Sequence, residues 1–157
     1  MIRSICMAVL GLVMFLPMAH AADEFECIVC FSGTYTYLHK SKDVSSLMSW
    51  QRTGIVTSES RNKFLDNATY HGEGVQVGRG EKKEGYEVGK FVDPDGDLII
   101  IAAPYTGRGY DAKFLQGTGK YKDIKGSYRS KTVAKGMPAM PGTYQRCDRL
   151  LGTFELR

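Results

Sequence analysis

The 157-residue sequence lacks an apolar run long enough for a membrane-spanning helix. Such a helix needs about 20 apolar residues, whereas the longest run here, Ile5–Leu16, has twelve. Arg3 precedes this run and the small-residue motif Ala19–Ala21 follows it, which predicts a signal peptide over residues 1–21. The rest, residues 22–157, has the length of one domain. We therefore expect an exported protein, periplasmic or extracellular, with no stable membrane anchor after cleavage.

The sequence also lacks the motifs that hold nucleotides, haem or calcium. Gly117–Lys120 is followed by Tyr121 rather than by the Ser or Thr of a phosphate-binding loop. Phe31 stands where a haem-attachment motif after Cys30 needs His. The alternating carboxylates of Asp93–Asp97 lack the Gly and Glu that complete a calcium loop, so they predict a hairpin turn. We predict no cofactor and no bound metal.

Long blocks of one charge are absent as well. The formal net charge is +4, and basic and acidic residues are interspersed along the chain. No run of like charge exceeds two residues, as in Lys82-Lys83. A nucleic-acid-binding surface usually shows a concentrated basic stripe, so we predict no nucleic-acid partner.

What the sequence does contain is a repeated alternation of apolar and polar positions, interrupted by turn residues. Strong helical periodicity over ten residues is missing after the signal segment. Glycines inside the alternating segments are typical of the bends of a small barrel, and closure removes exposed strand edges. We predict an all-β fold, a single closed antiparallel β-barrel of about eight strands. The expected strands are Phe31–His39, Ser46–Thr57, Asp66–Val77, Gly85–Asp93, Asp97–Ala103, Ala112–Tyr121, Gly126–Val133 and Tyr144–Leu156.

Three cysteines follow the signal segment: Cys27, Cys30 and Cys147. An oxidising compartment favours a disulfide, and we expect Cys27 or Cys30 to pair with Cys147. Two alternatives stay open at this point. One is a bridge between Cys27 and Cys30, and the other is a zinc site that adds His39 or His71.

His71 and Glu73 form the one place where side chains capable of acid–base chemistry crowd a predicted strand. Strand alternation puts both on the same face. Inside a barrel this pair could transfer a proton, whereas on the outside it would be a solvated surface pair. Alternation also predicts a ligand-binding lumen lined by aromatic side chains. Its expected lining residues are Tyr35, Tyr37, Tyr70, Tyr86 and Phe114.

The stretch from Gly85 to Ser130 resembles the allene oxide cyclase barrel superfamily. The matching elements are Asp95-Gly96-Asp97-Leu98, Pro104-Tyr105, Phe114-Leu115, Gly117-Thr118-Gly119-Lys120-Tyr121 and Gly126. The later segments Pro141–Cys147 and Gly152–Leu156 are similar to bacterial secreted relatives of unknown activity. The resemblance implies a calycin-like, eight-stranded antiparallel barrel with a lumen, often a dimer or trimer. It transfers no catalytic residue, because the plant enzymes' reactive positions have no match in Ala22–Val77.

Three functions are compatible with these features. The favoured one is a non-enzymatic barrel that binds a small, mostly apolar molecule in its lumen. The second is an isomerase or cyclase that uses the same cavity, with His71 and Glu73 in proton transfer. The third is a structural or interaction protein with a filled barrel. Fold alone does not decide among them.

Overall fold

A computed structural model describes residues 21–41, 45–105 and 109–156. Nearly all of the predicted signal peptide therefore lies outside the described residues. Within them, no helix has the length and apolar character needed to cross a membrane. The strands are β1 (Asp23–Lys40), β2 (Ser45–Ser58), β3 (Thr69–Arg79), β4 (Lys82–Val92), β5 (Leu98–Tyr105), β6 (Asp111–Gly117), β7 (Lys125–Gly136) and β8 (Thr143–Glu155), with one 3₁₀ turn, Gly119–Tyr121.

The eight strands form one closed antiparallel barrel, which confirms the predicted fold class. Each strand pairs with the next along the chain, and β1 also pairs with β8 to close the ring. A disulfide joins Cys30 to Cys147, which face each other across this closing pair. One of the two expected pairings is thus confirmed, and Cys27 is the free cysteine among the described residues.

The main boundary difference lies in β1, which begins at Asp23 rather than at Phe31. The added segment alternates as a strand should, with Phe25, Cys27 and Val29 buried. At the same end of the barrel, β3 begins three residues later than expected, at Thr69. Residues 59–68 instead form a connection that folds across the lower opening of the barrel.

Apolar packing fills the lower part of the lumen, which we call the base. Phe64 and Leu65, from the connection between β2 and β3, insert into the ring of strands and are 5% and 1% exposed. The Phe64 ring stacks on Phe154 with centroids 3.9 Å apart. Burial of large aromatic side chains in this way contributes strongly to the stability of the folded protein. Other base residues are Phe25, Val56, Phe91, Ile99, Phe114, Tyr121, Ile124, Leu150 and Phe154.

The predicted turn at Asp93–Asp97 is confirmed and supports the base from below. The Asp93 carboxylate accepts hydrogen bonds from the backbone N–H groups of Asp95 and Asp97, at 2.9 and 3.0 Å. Lys120, from the 3₁₀ turn, forms ion pairs with Asp93 and Asp95. Because this turn and the connection between β2 and β3 both lie at the lower end of the barrel, the lumen opens at the upper end.

Large side chains fit inside this narrow barrel because some of them face a glycine on the neighbouring strand. Trp50 pairs in register with Gly74, and Tyr144 pairs with Gly33. A Cβ atom at Gly33 would lie 2.6 Å from the Tyr144 ring. Each ring therefore lies against the wall over the missing side chain, and space remains at the centre of the upper lumen.

Candidate functional site in the upper lumen

A cavity of about 280 Å³ opens at the upper end of the barrel, which we call the mouth. Four of the aromatic rings in its wall form two close pairs. The Trp50 and Tyr110 centroids lie 6.2 Å apart, and those of Tyr35 and Tyr144 lie 6.4 Å apart. Ring-lined cavities with a few polar groups are typical of small-molecule sites. The wall of the mouth consists of Tyr35, Tyr37, Ser46, Met48, Trp50, Gln76, Lys83, Tyr110 and Tyr144.

One layer below the mouth, four charged side chains point into the lumen; we call them the charged quartet. They are Arg52 from β2, Glu87 from β4, and Arg146 and Asp148 from β8. Arg52 donates hydrogen bonds to Glu87 through Nε and Nη2, with Nε at 3.0 Å from Oε1. Arg146 binds the second carboxylate, with Nη2 at 2.9 Å from Asp148 Oδ2. The bidentate pairing of Arg52 with Glu87 is among the strongest hydrogen-bonded arrangements in proteins.

The quartet is joined to the aromatic wall above it. The Arg52 guanidinium carbon lies 4.9 Å from the Trp50 ring centroid and 5.1 Å from that of Tyr110. The Arg146 guanidinium lies 5.9 Å from the same Tyr110 ring. These cation–π contacts place positive charge directly beneath the rings of the mouth.

Burial dominates the acid–base properties of this region. Desolvation raises the pKa of Glu87 above its ordinary value, although the Arg52 guanidinium opposes this shift. Burial alone would lower the pKa of Arg52, but the Glu87 carboxylate keeps it above the usual value. Desolvation raises the pKa of Tyr110 to about 12, so this phenol keeps its proton at neutral pH.

Two atoms of the quartet have no hydrogen-bond partner among the described residues. They are Oδ1 of Asp148 and Nε of Arg146, both fully buried. Buried polar atoms are nearly always satisfied, and an unpaired one calls for an explanation such as a ligand or an ordered water. One atom is an acceptor and the other a donor, and their residues lie two positions apart on β8.

The predicted lining residues are distributed over three places. Tyr35 and Tyr37 belong to the wall of the mouth. Tyr70 is buried at the level of the quartet, where its hydroxyl donates to Glu87. Phe114 is packed in the base. Tyr86 does not face the lumen: it lies on the outer face, 49% exposed, because its neighbour Glu87 takes the inward position.

His71 and Glu73 also lie on the outer face of the barrel. His71 Nε2 is 3.3 Å from Glu73 Oε1, and His71 Nδ1 is 3.0 Å from Thr53 Oγ1. The two side chains are 39% and 62% exposed. Strand alternation explains this position, because Tyr70 and Gly72 occupy the inward face of β3. The wall of barrel strands separates the pair from the lumen, so proton transfer inside the cavity requires other residues.

The residues that sequence reasoning missed are the four of the charged quartet. Apolar residues were expected inside and charges outside, which is the general rule for strands with one buried face. A usable signal existed in β4, where alternation puts Glu87 on the same face as the buried Phe91. Likewise, Asp148 shares a face with Leu150 and Phe154.

Comparison with known proteins identifies the architecture. No protein-family profile matches the sequence, and no curated protein shows significant similarity to it. Two solved structures have the same fold, those of the pterocarpan synthase dirigent proteins GePTS1 and PsPTS1. The chain shares its barrel fold with these two structures. The GePTS1 match has 13% identity and a TM-score of 0.53, and it covers 92% of this chain and 97% of the other.

The PsPTS1 match has 10% identity and a TM-score of 0.51, covering 86% of this chain and 97% of the other. Likeness at such low identity shows the fold alone. The finer resemblance to allene oxide cyclases stays a prediction.

Proposed function

We propose that the protein binds a small, mostly apolar, ring-bearing molecule in the mouth of its barrel. The observation that carries this proposal is the cavity of about 280 Å³ walled by Tyr35, Trp50, Tyr110 and Tyr144. Because the base is packed with side chains, the ligand site is confined to the upper lumen. A volume at the lower end of the usual range for ligand cavities suits a molecule of few rings.

The charged quartet supplies the polar end of this site. A hydroxyl on the ligand that reached the quartet would donate to Asp148 Oδ1, which lacks a partner among the described residues. Arg146 Nε is also buried and without a partner among the described residues, and would donate to an acceptor on the ligand. These two atoms would orient a ligand that enters with its polar group toward the quartet, since buried polar groups select ligands that satisfy them.

A second candidate function is acid–base catalysis in the same cavity, of the isomerase or cyclase type. One observation favours it: the buried carboxylate of Asp148 keeps one oxygen free of hydrogen bonds. In this version Asp148 replaces His71 and Glu73 as the proton-transfer group, with Arg146 holding its other oxygen. The dirigent proteins of similar fold are described as pterocarpan synthases, which keeps enzymatic turnover in this kind of barrel a testable option.

We also infer export to an oxidising compartment. The disulfide between Cys30 and Cys147 is of the kind that persists in secreted or periplasmic proteins. Mass determination of the mature protein from its own host, with and without reductant, tests both the cleavage site and the bridge.

Binding is tested with N-phenyl-1-naphthylamine, a neutral, apolar, ring-bearing fluorophore. Trp50 is the one tryptophan of the chain and lies in the wall of the mouth, so energy transfer from it reports binding there. We expect saturable transfer in the wild type and at least threefold weaker binding in Tyr110→Leu. The matched control Tyr86→Leu removes an outer-face ring and should leave binding unchanged.

Two outcomes would overturn the proposal. One is the absence of saturable transfer in the wild type. The other is an equal loss in Tyr110→Leu and Tyr86→Leu, which would place the probe on the outer surface. Native mass spectrometry of the protein from its own host then identifies the natural ligand by its mass.

A further inference from the structure

Among the described residues that form the wall of the mouth, Lys83 is the one with a charged side chain. It lies near the start of β4, where it pairs with Gly78 of β3. Strand alternation from the buried Glu87 puts Lys83 on the inward face. The lysine therefore belongs to the cavity rather than to the outer surface of the hairpin.

The register explains how Lys83 reaches the cavity. Gly78 pairs with Ser46 on one side and with Lys83 on the other, so the three residues form a row across β2, β3 and β4. Because the central residue has no side chain, nothing separates Lys83 from Ser46 across the inner wall. Gln76, one inward position deeper on β3, adds a polar amide beside them.

Among the described residues, the positive charge of Lys83 has no counter-charge in the mouth. The described part of the wall contains no Asp or Glu, and Lys83 forms no ion pair with any residue that the structure describes. Beneath the rings lie the guanidinium groups of Arg52 and Arg146. The carboxylates of Glu87 and Asp148 balance these two guanidinium groups, so Lys83 is the uncompensated cation among the described residues that line the ligand-accessible lumen.

We propose that the mouth selects a ligand with an apolar ring system and one anionic group, the anion bound by Lys83 at the rim. This inference rests on the proposed binding function and names the ligand class of the same site. The ring system would lie between Trp50, Tyr110 and Tyr144. Ser46 and Gln76 would donate further hydrogen bonds to the anion, and carboxylate, sulfonate or phosphate would each satisfy this arrangement.

Two fluorophores that share one skeleton test the selection. 1-Anilinonaphthalene-8-sulfonate is N-phenyl-1-naphthylamine with an added sulfonate, so their difference isolates the anionic group. The variants are Lys83→Met and Lys82→Met. Both remove one positive charge from the same hairpin, but Lys82 lies on its outer face, in a groove with Val77 and Glu84. The readout for every titration is energy transfer from Trp50.

We expect Lys83→Met to weaken binding of the sulfonate about three- to tenfold, the range for one charged hydrogen-bonded contact at a partly exposed site. Its affinity for the neutral probe should fall by a smaller factor than its affinity for the sulfonate, because the neutral probe has no anionic group to pair with the lysine. Lys82→Met should match the wild type with both probes. Raising the ionic strength should weaken only the sulfonate, because salt screens charge but not apolar contact.

Equal losses of sulfonate binding in Lys82→Met and Lys83→Met would overturn the inference, because the effect would then come from overall charge. So would an unchanged sulfonate affinity in Lys83→Met. Both results leave binding of the neutral probe intact and hence leave the proposed function standing. Failure of the neutral probe to bind the wild type refutes the proposed function instead.

Discussion

Removing either partner of the Arg52–Glu87 pair should destabilise the protein far more than removing both. Arg52 is 5% exposed and Glu87 is fully buried, so neither can recover its hydration when the other is lost. A buried pair broken on one side costs about 3–5 kcal/mol, whereas apolar replacement of both partners is often close to neutral. Arg52→Met should lie at the upper end of this range because it leaves the Glu87 carboxylate uncompensated.

Glu87→Met should lie at the lower end. Asp148 Oδ2 is 3.6 Å from Arg52 Nη1 and still partly balances the guanidinium, although the Tyr70 hydroxyl loses its acceptor. The double variant should cost less than either single one. Because small domains are stable by only about 5–15 kcal/mol, these losses are large and measurable.

The assay is urea unfolding followed by Trp50 fluorescence, with linear extrapolation to water. Trp50 lies beside Arg52, so its emission reports the region directly. Single variants that each cost under about 1 kcal/mol would refute the reasoning, since they would show that water reaches the pair. A double variant whose cost equals the sum of the two single costs would also refute it, because it would show no coupling.

Three further predictions concern other parts of the barrel. Gly74→Ala should lower the free energy of unfolding by about 1–3 kcal/mol through overpacking and alter Trp50 emission, since the added Cβ would lie 2.6 Å from a backbone oxygen. Gly78→Ala is the control, because its added Cβ would approach only the flexible hydroxyl of a serine. Equal urea midpoints for the two variants would contradict this prediction. Burial would raise the pKa of Asp93, but its bonds to Lys120 and to backbone N–H groups lower it. The stabilisation by the ionised Asp93 carboxylate is therefore complete above the ordinary aspartate pKa and is lost as pH falls through the lowered value. The difference in melting temperature between the wild type and Asp93→Asn should shrink below about pH 4. A difference that stays constant with pH would disprove this prediction. Desolvation raises the pKa of the buried Cys27 thiol to about 11, so iodoacetamide at pH 8 should modify it only after unfolding, and labelling of the native protein, seen by mass spectrometry, would contradict its burial.

The sequence allowed the architecture to be predicted, because alternation and turn residues repeat along the chain. Eight strands and the barrel closure followed from such local patterns. A bridge to Cys147 was also predicted, but the choice of Cys30 over Cys27 as its partner came from the structure. Strand ends were predicted less well. The early start of β1 was missed because Glu24 and Glu26 make that segment look like an exposed terminus, although the residues between them and beyond them face inward.

The candidate site could not be predicted in the same way. Its charged residues lie on β2, β4 and β8, far apart in sequence, and each is an exception to the rule that strands bury apolar side chains. Tyr86 and Glu87 illustrate the difficulty. Hydrophobicity assigns the tyrosine to the inside, but the register fixed by Phe91 requires the glutamate there. Only the closed ring shows that the buried charges compensate one another.

The pairing of β1 with β8 also has a consequence for folding, because the ring can close only when the first and last strands meet. Until the eighth strand has been synthesised and has docked, the sheet has two free edges, β1 and β7. During that interval Arg52 and Glu87 can pair with each other, but Phe31 and the other inward side chains of β1 lack their neighbours on β8. Contacts between such distant segments make folding slow, and open edges can pair with other chains. Newly made protein is therefore open to pairing with other chains until the ring closes, after which the bridge between Cys30 and Cys147 holds the last pair of strands together.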